Sequence, residues 1–127
     1  MYTDPIADLL TRIRNAIAAH HTEISVPYSK VKENIVKIIK DRKYIKDYDT
    51  EEIDNHKILN IYFFEDQKPL TLKRISCPGQ RIYRQSRDIK GLRSGLGITI
   101  LSTSKGIMTH SEAKKNNLGG EVICEIY

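Results

Sequence analysis

Ser102, Thr103, Ser104 and Lys105 stand together between an apolar run, Ile98-Thr-Ile-Leu101, and a glycine, Gly106. Three short hydroxyls and one ammonium offer donors, acceptors and a positive charge on a single loop, beside a residue that lets a partner approach the backbone. That set suits phosphate, ribose and base edges better than an apolar ligand. The run before it is of strand type, and a helix start is expected directly after it. Taken alone, the block reads more simply as a polar turn joining strand to helix. The rest of the chain tells against that.

The 127 residues carry 21 Lys/Arg and 16 Asp/Glu, a formal charge of +5. The excess lies in the second half: residues 1–63 hold ten of each sign, whereas residues 64–127 hold eleven basic and six acidic. From Lys68 to Lys115 the only acids are Asp88 and Glu112. A solvated surface normally mixes its signs, so a one-signed stretch of this length reads as a polyanion-binding face. The length fits one compact unit or two small lobes, and 39% apolar residues suffice for a core. No apolar run approaches the ~20 residues of a membrane span, and Met1-Tyr-Thr-Asp-Pro5 is not the start of a secretion signal. Cys77 and Cys124 form no CxxC pair. Two reduced thiols in a cytoplasmic protein, with no membrane partner, are expected.

Enzymatic readings fail on their companion motifs. Ser102-Thr-Ser-Lys105 matches Ser-x-x-Lys, but Ser-Asp-Asn and Lys-Thr-Gly are absent. Gly95-Leu-Gly97 lacks a third glycine and stands before a strand, so it is no dinucleotide fingerprint. His20, His21, His56 and His110 show no metal-ligand spacing with the two cysteines. His110 is expected to be exposed. Neither a catalytic site, a metal nor a cofactor is expected.

The elements that must position the loop follow from periodicity and punctuation. Asp4 caps a first helix with Pro5 at its first position, and Ile6, Leu9, Leu10, Ile13, Ala16 and Ile17 share its apolar stripe. A short strand, Ile24-Ser-Val26, ends at Pro27. Ser29 caps a second helix reaching about Asp41, with Val31, Ile35, Ile38 and Ile39 on its apolar face. Lys30 and Lys32 lie in its first turn, where the helix dipole disfavours cations, which points to an external anion. Tyr44–Thr50 and Lys57–Phe64 predict a hairpin across an acidic turn, Glu51–Asn55, and residues 65–69 read as a linker. Two helices are expected on one face of this small sheet.

The second lobe is mainly strand. Leu70–Ser76 and Gln80–Arg84 flank a Cys77-Pro-Gly79 turn, and a loop with Gly91, Gly95 and Gly97 precedes the strand Ile98–Thr103. Thr109-His-Ser-Glu112 predicts a capping box on a short helix, Asn117 a left-handed end to it, and Glu121–Tyr127 the closing strand, with Cys124 buried. The fold class is α+β, with a helix-strand-helix-strand-strand lobe over residues 1–66 and a mainly β lobe with one short helix over residues 67–127.

With these residues laid out, the chain resembles the ribosomal protein S-eight family of bacterial small subunits, nearly end to end. Thr3-Asp-Pro-Ile-Ala-Asp-Leu-Leu-Thr-Arg-Ile-Arg-Asn-Ala16 resembles its opening helix, and Pro27-Tyr-Ser-Lys30 its second helix start. Ile75-Ser-Cys-Pro-Gly-Gln-Arg-Ile-Tyr-Arg84, Gly95 to Gly106, and Glu112-Ala-Lys-Lys-Asn-Asn-Leu-Gly-Gly-Glu121 resemble its C-terminal lobe. Cys77 stands where a lysine commonly precedes Pro-Gly, and Ile89-Lys90 replaces an apolar-Pro pair.

The resemblance implies direct binding to an irregular stem in the central domain of small-subunit ribosomal RNA, a part in assembling that domain, and neighbouring small-subunit proteins as partners. Some relatives also repress their own operon through a similar mRNA stem. Outside the ribosome a monomer is expected. By resemblance, Ser102, Thr103 and Ser104 contact ribose and base edges and Lys105 a phosphate. Tyr83 stacks on or hydrogen-bonds to an unpaired base, or is a core tyrosine, and Arg84 lies beside it. Glu121 is expected to accept hydrogen bonds from the hydroxyl loop and fix its shape, with a base amino group as a second candidate partner. Thr3, Ser29 and Lys30, near helix starts, form a second, backbone-reading contact. Lys73, Arg74, Arg81, Arg84, Arg87 and Arg93 supply the general field. A sequence-indifferent nucleic-acid binder and a hydrolase using Ser102 or Ser104 are the competing classes.

Overall fold

The computed structural model describes residues 4–86 and 97–127. Thr3, Asp88, Lys90, Arg87, Arg93 and the glycines Gly91 and Gly95 lie outside the described residues. The chain divides into two compact units, one of Asp8–Leu70 and the other of Met1–Ala7 with Thr71–Tyr127. The architecture is α+β, as the residue pattern predicts.

Helix α1 runs Pro5–Ala18. Asp4 Oδ1 accepts from the Ala7 amide at 3.2 Å, satisfying one of the amides that a helix start leaves free. Leu9, Leu10, Ile13, Ala16 and Ile17 are buried along one stripe. The helix closes with His20 at φ 58°, in the left-handed conformation more often taken by glycine.

Strand β1 (Glu23–Pro27), helix α2 (Lys30–Asp41) and strands β2 (Asp47–Ile53) and β3 (His56–Tyr62) follow. The three strands are antiparallel in the order β1-β3-β2. Ser29 caps α2, its hydroxyl accepting from the Lys32 amide at 3.2 Å. Two expectations for this helix fail. Val36 takes the buried place expected of Val31, which is 41% exposed. Lys32 is buried and its ammonium donates to the Pro27 carbonyl at 3.1 Å, so an internal acceptor accounts for it.

The hairpin is also tighter than the acidic run predicts. Asp54 and Asn55, at φ 50° and 66°, form a two-residue turn of the twist-matched kind, and Glu51 and Glu52 remain in the strand. Asn60 explains how the acidic strand is held: its buried amide donates to Asp49 and Glu51 and accepts from the Ser25 hydroxyl.

The other unit contains β4 (Leu72–Arg74), β5 (Tyr83–Arg84), β6 (Ile98–Thr103), β7 (Gly106–Thr109), helix α3 (His110–Lys115) and β8 (Gly120–Ile126). Its sheet runs β4-β8-β6-β7, with β5 also paired to β8. Leu101, Met108, Ala113 and Val122 form one buried cluster against it, joined by Ile75 and Leu118, and Leu72, Ile98, Ile100, Ile123, Cys124 and Ile126 are buried as well. The strand expected over 80–84 shortens to Tyr83–Arg84. Buried Ser76 takes part of its place, accepting from the Ile82 amide at 2.7 Å and donating to the Ile82 carbonyl at 3.2 Å.

The helix start expected directly after the hydroxyl loop is displaced by β7. Thr109 both ends β7, opposite Ile100, and caps α3. Its hydroxyl receives the Glu112 amide at 3.4 Å and donates to the Glu112 carboxylate at 3.2 Å, so the reciprocal bond runs through the hydroxyl. Asn117 is left-handed at φ 54°, as expected. His110, expected to be exposed, is half-buried and its Nδ1 accepts from the Thr99 amide at 3.1 Å.

Candidate nucleic-acid interface

The hydroxyl block is the tip of a β-hairpin. Thr103 of β6 pairs with Gly106 of β7, leaving Ser104 and Lys105 as the two turn residues. Gly106 has φ +115°, a backbone conformation that side chains disfavour. Thr103 holds the turn shut: its hydroxyl donates to the Gly106 carbonyl at 2.8 Å and accepts from the Lys105 amide at 3.2 Å. The proton and one of the two acceptor lone pairs of that hydroxyl are therefore engaged. The Ser102 and Ser104 hydroxyls have no partner among the described residues, and Ser104 and Lys105 are exposed. One hydroxyl shapes the turn and two remain open to a ligand.

The Leu118-Gly-Gly-Glu121 segment explains why the hairpin can lie where it does. A Cβ on Gly120 would overlap the Ser102 carbonyl oxygen and sit 2.9 Å from the Ser102 carbonyl carbon. A Cβ on Gly119 would meet the Arg84 carbonyl oxygen at 2.6 Å. The two glycines thus admit β6 and the end of β5 as close neighbours of β8. The motif serves the backbone of the candidate interface.

Register then gathers the side chains. Tyr83, Glu121, Ser102 and Ile107 are directly paired across β5, β8, β6 and β7. Directly paired residues project from the same face of a sheet, so an aromatic ring, a carboxylate and a hydroxyl stand in one row. Val122, Leu101 and Met108 occupy the next register positions and turn into the core. Tyr83 is 64% exposed, which removes the core reading of this residue. Arg84 is exposed, with Nη1 donating to the Tyr83 carbonyl at 2.9 Å.

Glu121 departs from expectation. Its carboxylate does not receive the loop hydroxyls; Arg81 Nη1 donates to both oxygens, at 3.1 and 3.2 Å. The backbone pairing with Ser102 already positions the loop, so the carboxylate is left to meet a cation. Arg74 also leaves the general field. Its guanidinium donates to Asp4 Oδ2 at 3.0 Å and to the Ile123 carbonyl at 2.6 Å, and both side chains are largely buried. Lys73 is exposed. Neither the Gly120 contact nor the Arg81–Glu121 pair was visible as such, since both join residues 18 to 40 positions apart.

In the Asp8–Leu70 unit, Ser29 is half-buried and Lys30 exposed at the start of α2. The Tyr28 hydroxyl donates to Glu33 at 2.9 Å, and this bond to an anion raises the phenol above its usual value. The Lys57 ammonium lies 4.0 Å from the centre of the Tyr28 ring. No group of side chains suited to a metal occurs among the described residues, and no described helix is long and apolar enough to cross a membrane.

Comparison with known proteins decides the family. The model of the family described as "Ribosomal protein S8" matches residues 4–127. The chain belongs to the ribosomal protein S8 family. It is 48% identical to the small ribosomal subunit protein uS8 of Nitratidesulfovibrio vulgaris (strain Miyazaki F), with all of both chains covered. It is 46% identical to uS8 of Moorella thermoacetica, covering 98% of this chain and 99% of the relative. S8 proteins are structural, non-enzymatic components of the small ribosomal subunit.

Proposed function

We propose that this S8 chain binds small-subunit ribosomal RNA directly, at an irregular stem of the central domain, and helps that domain assemble. The observation that carries the reading is the β6–β7 turn, where Thr103 is spent on closure while Ser102 and Ser104 keep unpaired hydroxyls. Duplex RNA presents a wide, shallow minor groove lined with 2′-hydroxyls, which a flat turn of small hydroxyl residues can enter. Ser102 and Ser104 contact ribose and base edges there. Lys105 and Arg84 meet phosphates, and exposed Tyr83 stacks on an unpaired base. Ser29 and Lys30 add a second contact to the backbone, together with Thr3, which lies outside the described residues. In functional terms, residues 67–127 choose the stem and residues 1–66 strengthen its grip.

An mRNA stem of the same shape would compete for the same surface, which gives repression of the chain's own operon where such a stem exists. Other small-subunit proteins are its neighbours in the particle, and the free protein is a monomer. The test is filter binding in moderate salt to a central-domain stem and to a scrambled stem, with Ser104→Ala beside the wild type. Loss of one hydrogen bond predicts roughly three- to tenfold weaker binding to the native stem. Equal binding of the wild type to both stems overturns the reading.

A further inference from the structure

A carboxylate on a surface that faces phosphates needs a reason to be tolerated. Glu121 lies between Tyr83 and Ser102 in the paired row, so it shares the face on which the proposed RNA contacts stand. Its side chain is only 14% exposed, and the closest cation is Arg81, whose own side chain is 50% exposed. Arg81 Nη1 sits over both carboxylate oxygens at 3.1 and 3.2 Å. One guanidinium nitrogen thus covers the carboxylate, and the Nε and Nη2 hydrogens keep no partner among the described residues. No second cation pairs with Glu121 among the described residues.

We propose that Arg81 is a positioning residue for RNA recognition: it acts through Glu121, neutralising that carboxylate so that the Tyr83–Glu121–Ser102 row can approach a polyanion. The inference rests on the RNA-binding reading above and gives Arg81 a different duty from the other exposed cations. A residue that only meets phosphate contributes whatever Glu121 is, and its removal flattens the salt dependence of binding. A counterion matters only while the carboxylate is charged. Without Arg81, Glu121 stands as an uncompensated anion in the middle of the contact face, and phosphates are repelled at short range. Glu121 itself is fixed in the ladder, with Tyr83 on one side and Ser102 on the other.

The experiment is a double-mutant cycle on the full chain, with wild type, Arg81→Ala, Glu121→Gln and the double variant. Each is titrated with the central-domain stem and its scrambled counterpart across a salt series. Arg81→Ala is expected to bind the native stem about fivefold more weakly or worse, within the range of coupling found for contacting residues. Adding Glu121→Gln should restore the lost affinity to within about twofold of Glu121→Gln alone, with the slope of log K against log salt unchanged by the Arg81 substitution. Arg81→Lys, which keeps the charge, should retain most of the binding, and near-identical urea midpoints for all variants exclude a folding effect. A double variant as weak as Arg81→Ala, with a shallower salt slope, identifies a direct phosphate contact and overturns the inference while the RNA reading stands. A wild type without preference for the native stem removes both.

Discussion

Gly120→Ala tests the physical link between the Gly-Gly segment and the hydroxyl turn. The added methyl would overlap the Ser102 carbonyl oxygen and lie 2.9 Å from its carbon and 3.2 Å from Thr103 Cα. All three atoms are backbone of β6, so no rotamer change relieves the crowding. The strands must part where β6 enters the turn. Overpacking of this kind costs about 1–3 kcal/mol, and each ladder bond weakened adds roughly 1 kcal/mol. A loss of about 3 kcal/mol is therefore expected, a large share of the ~5–15 kcal/mol that holds a typical domain. Urea unfolding followed by circular dichroism reads it directly. Gly79→Ala is the matched control, because a Cβ there meets nothing within 4 Å; it should shift stability by no more than about 0.5–1 kcal/mol, in the stabilising direction if at all. RNA affinity should fall in Gly120→Ala and not in Gly79→Ala. If the two variants unfold at the same urea concentration, the close-approach argument is wrong.

Other consequences follow from the same structure. Thr109→Val keeps the buried shape but removes the hydroxyl that caps α3 and binds Glu112, so about 1–2 kcal/mol of stability should disappear in thermal or urea melts. Arg74→Ala leaves the largely buried Asp4 carboxylate without its cation, while the Ile123 carbonyl keeps the Ile75 amide, and about 2–3 kcal/mol of destabilisation is expected with the salt dependence of RNA binding unchanged. Burial pushes the Cys124 thiol up to about 12, whereas Cys77 is exposed. A thiol reagent at pH 8 should therefore count one cysteine in the native protein and two in urea. The sign of the linked pH effect follows: near pH 9 the unfolded chain releases the Cys124 proton and the folded chain keeps it, so stability falls with rising pH, and Cys124→Ala should flatten that fall.

Much of the fold is legible because it is local. The stripe from Leu9 to Ile17, the Ser29 and Thr109 caps and the left-handed Asn117 each depend on residues a turn or so apart, and the structure agrees with the expectation. The errors lie where pattern and partner disagree. Lys32 looks like a cation awaiting an anion until the Pro27 carbonyl is found within its reach. Arg74 counts toward a basic field until Asp4, seventy residues away, claims it. The four-residue β7 is too short to show a period, and only its pairing with β6 reveals it as a strand. At the candidate interface, the residue types were legible and their division of labour was not. Nothing local distinguishes Thr103, which closes the turn, from Ser102 and Ser104, which do not.

The sequence by itself determines which groups this protein can present: hydroxyls and a lysine at one turn, a surplus of cations in the second half, and paired glycines before Glu121. Side-chain chemistry and short-range backbone preference are properties of neighbouring residues, so they survive in a linear reading. The tertiary structure alone decides that Tyr83, Glu121 and Ser102 share one row, that Arg81 covers the carboxylate, and that Gly120 admits the backbone of β6. Strand register and ion pairing join residues distant in the chain, and many competing partners of the same chemical type stand along it. Which partner is taken is set by the folded sheet.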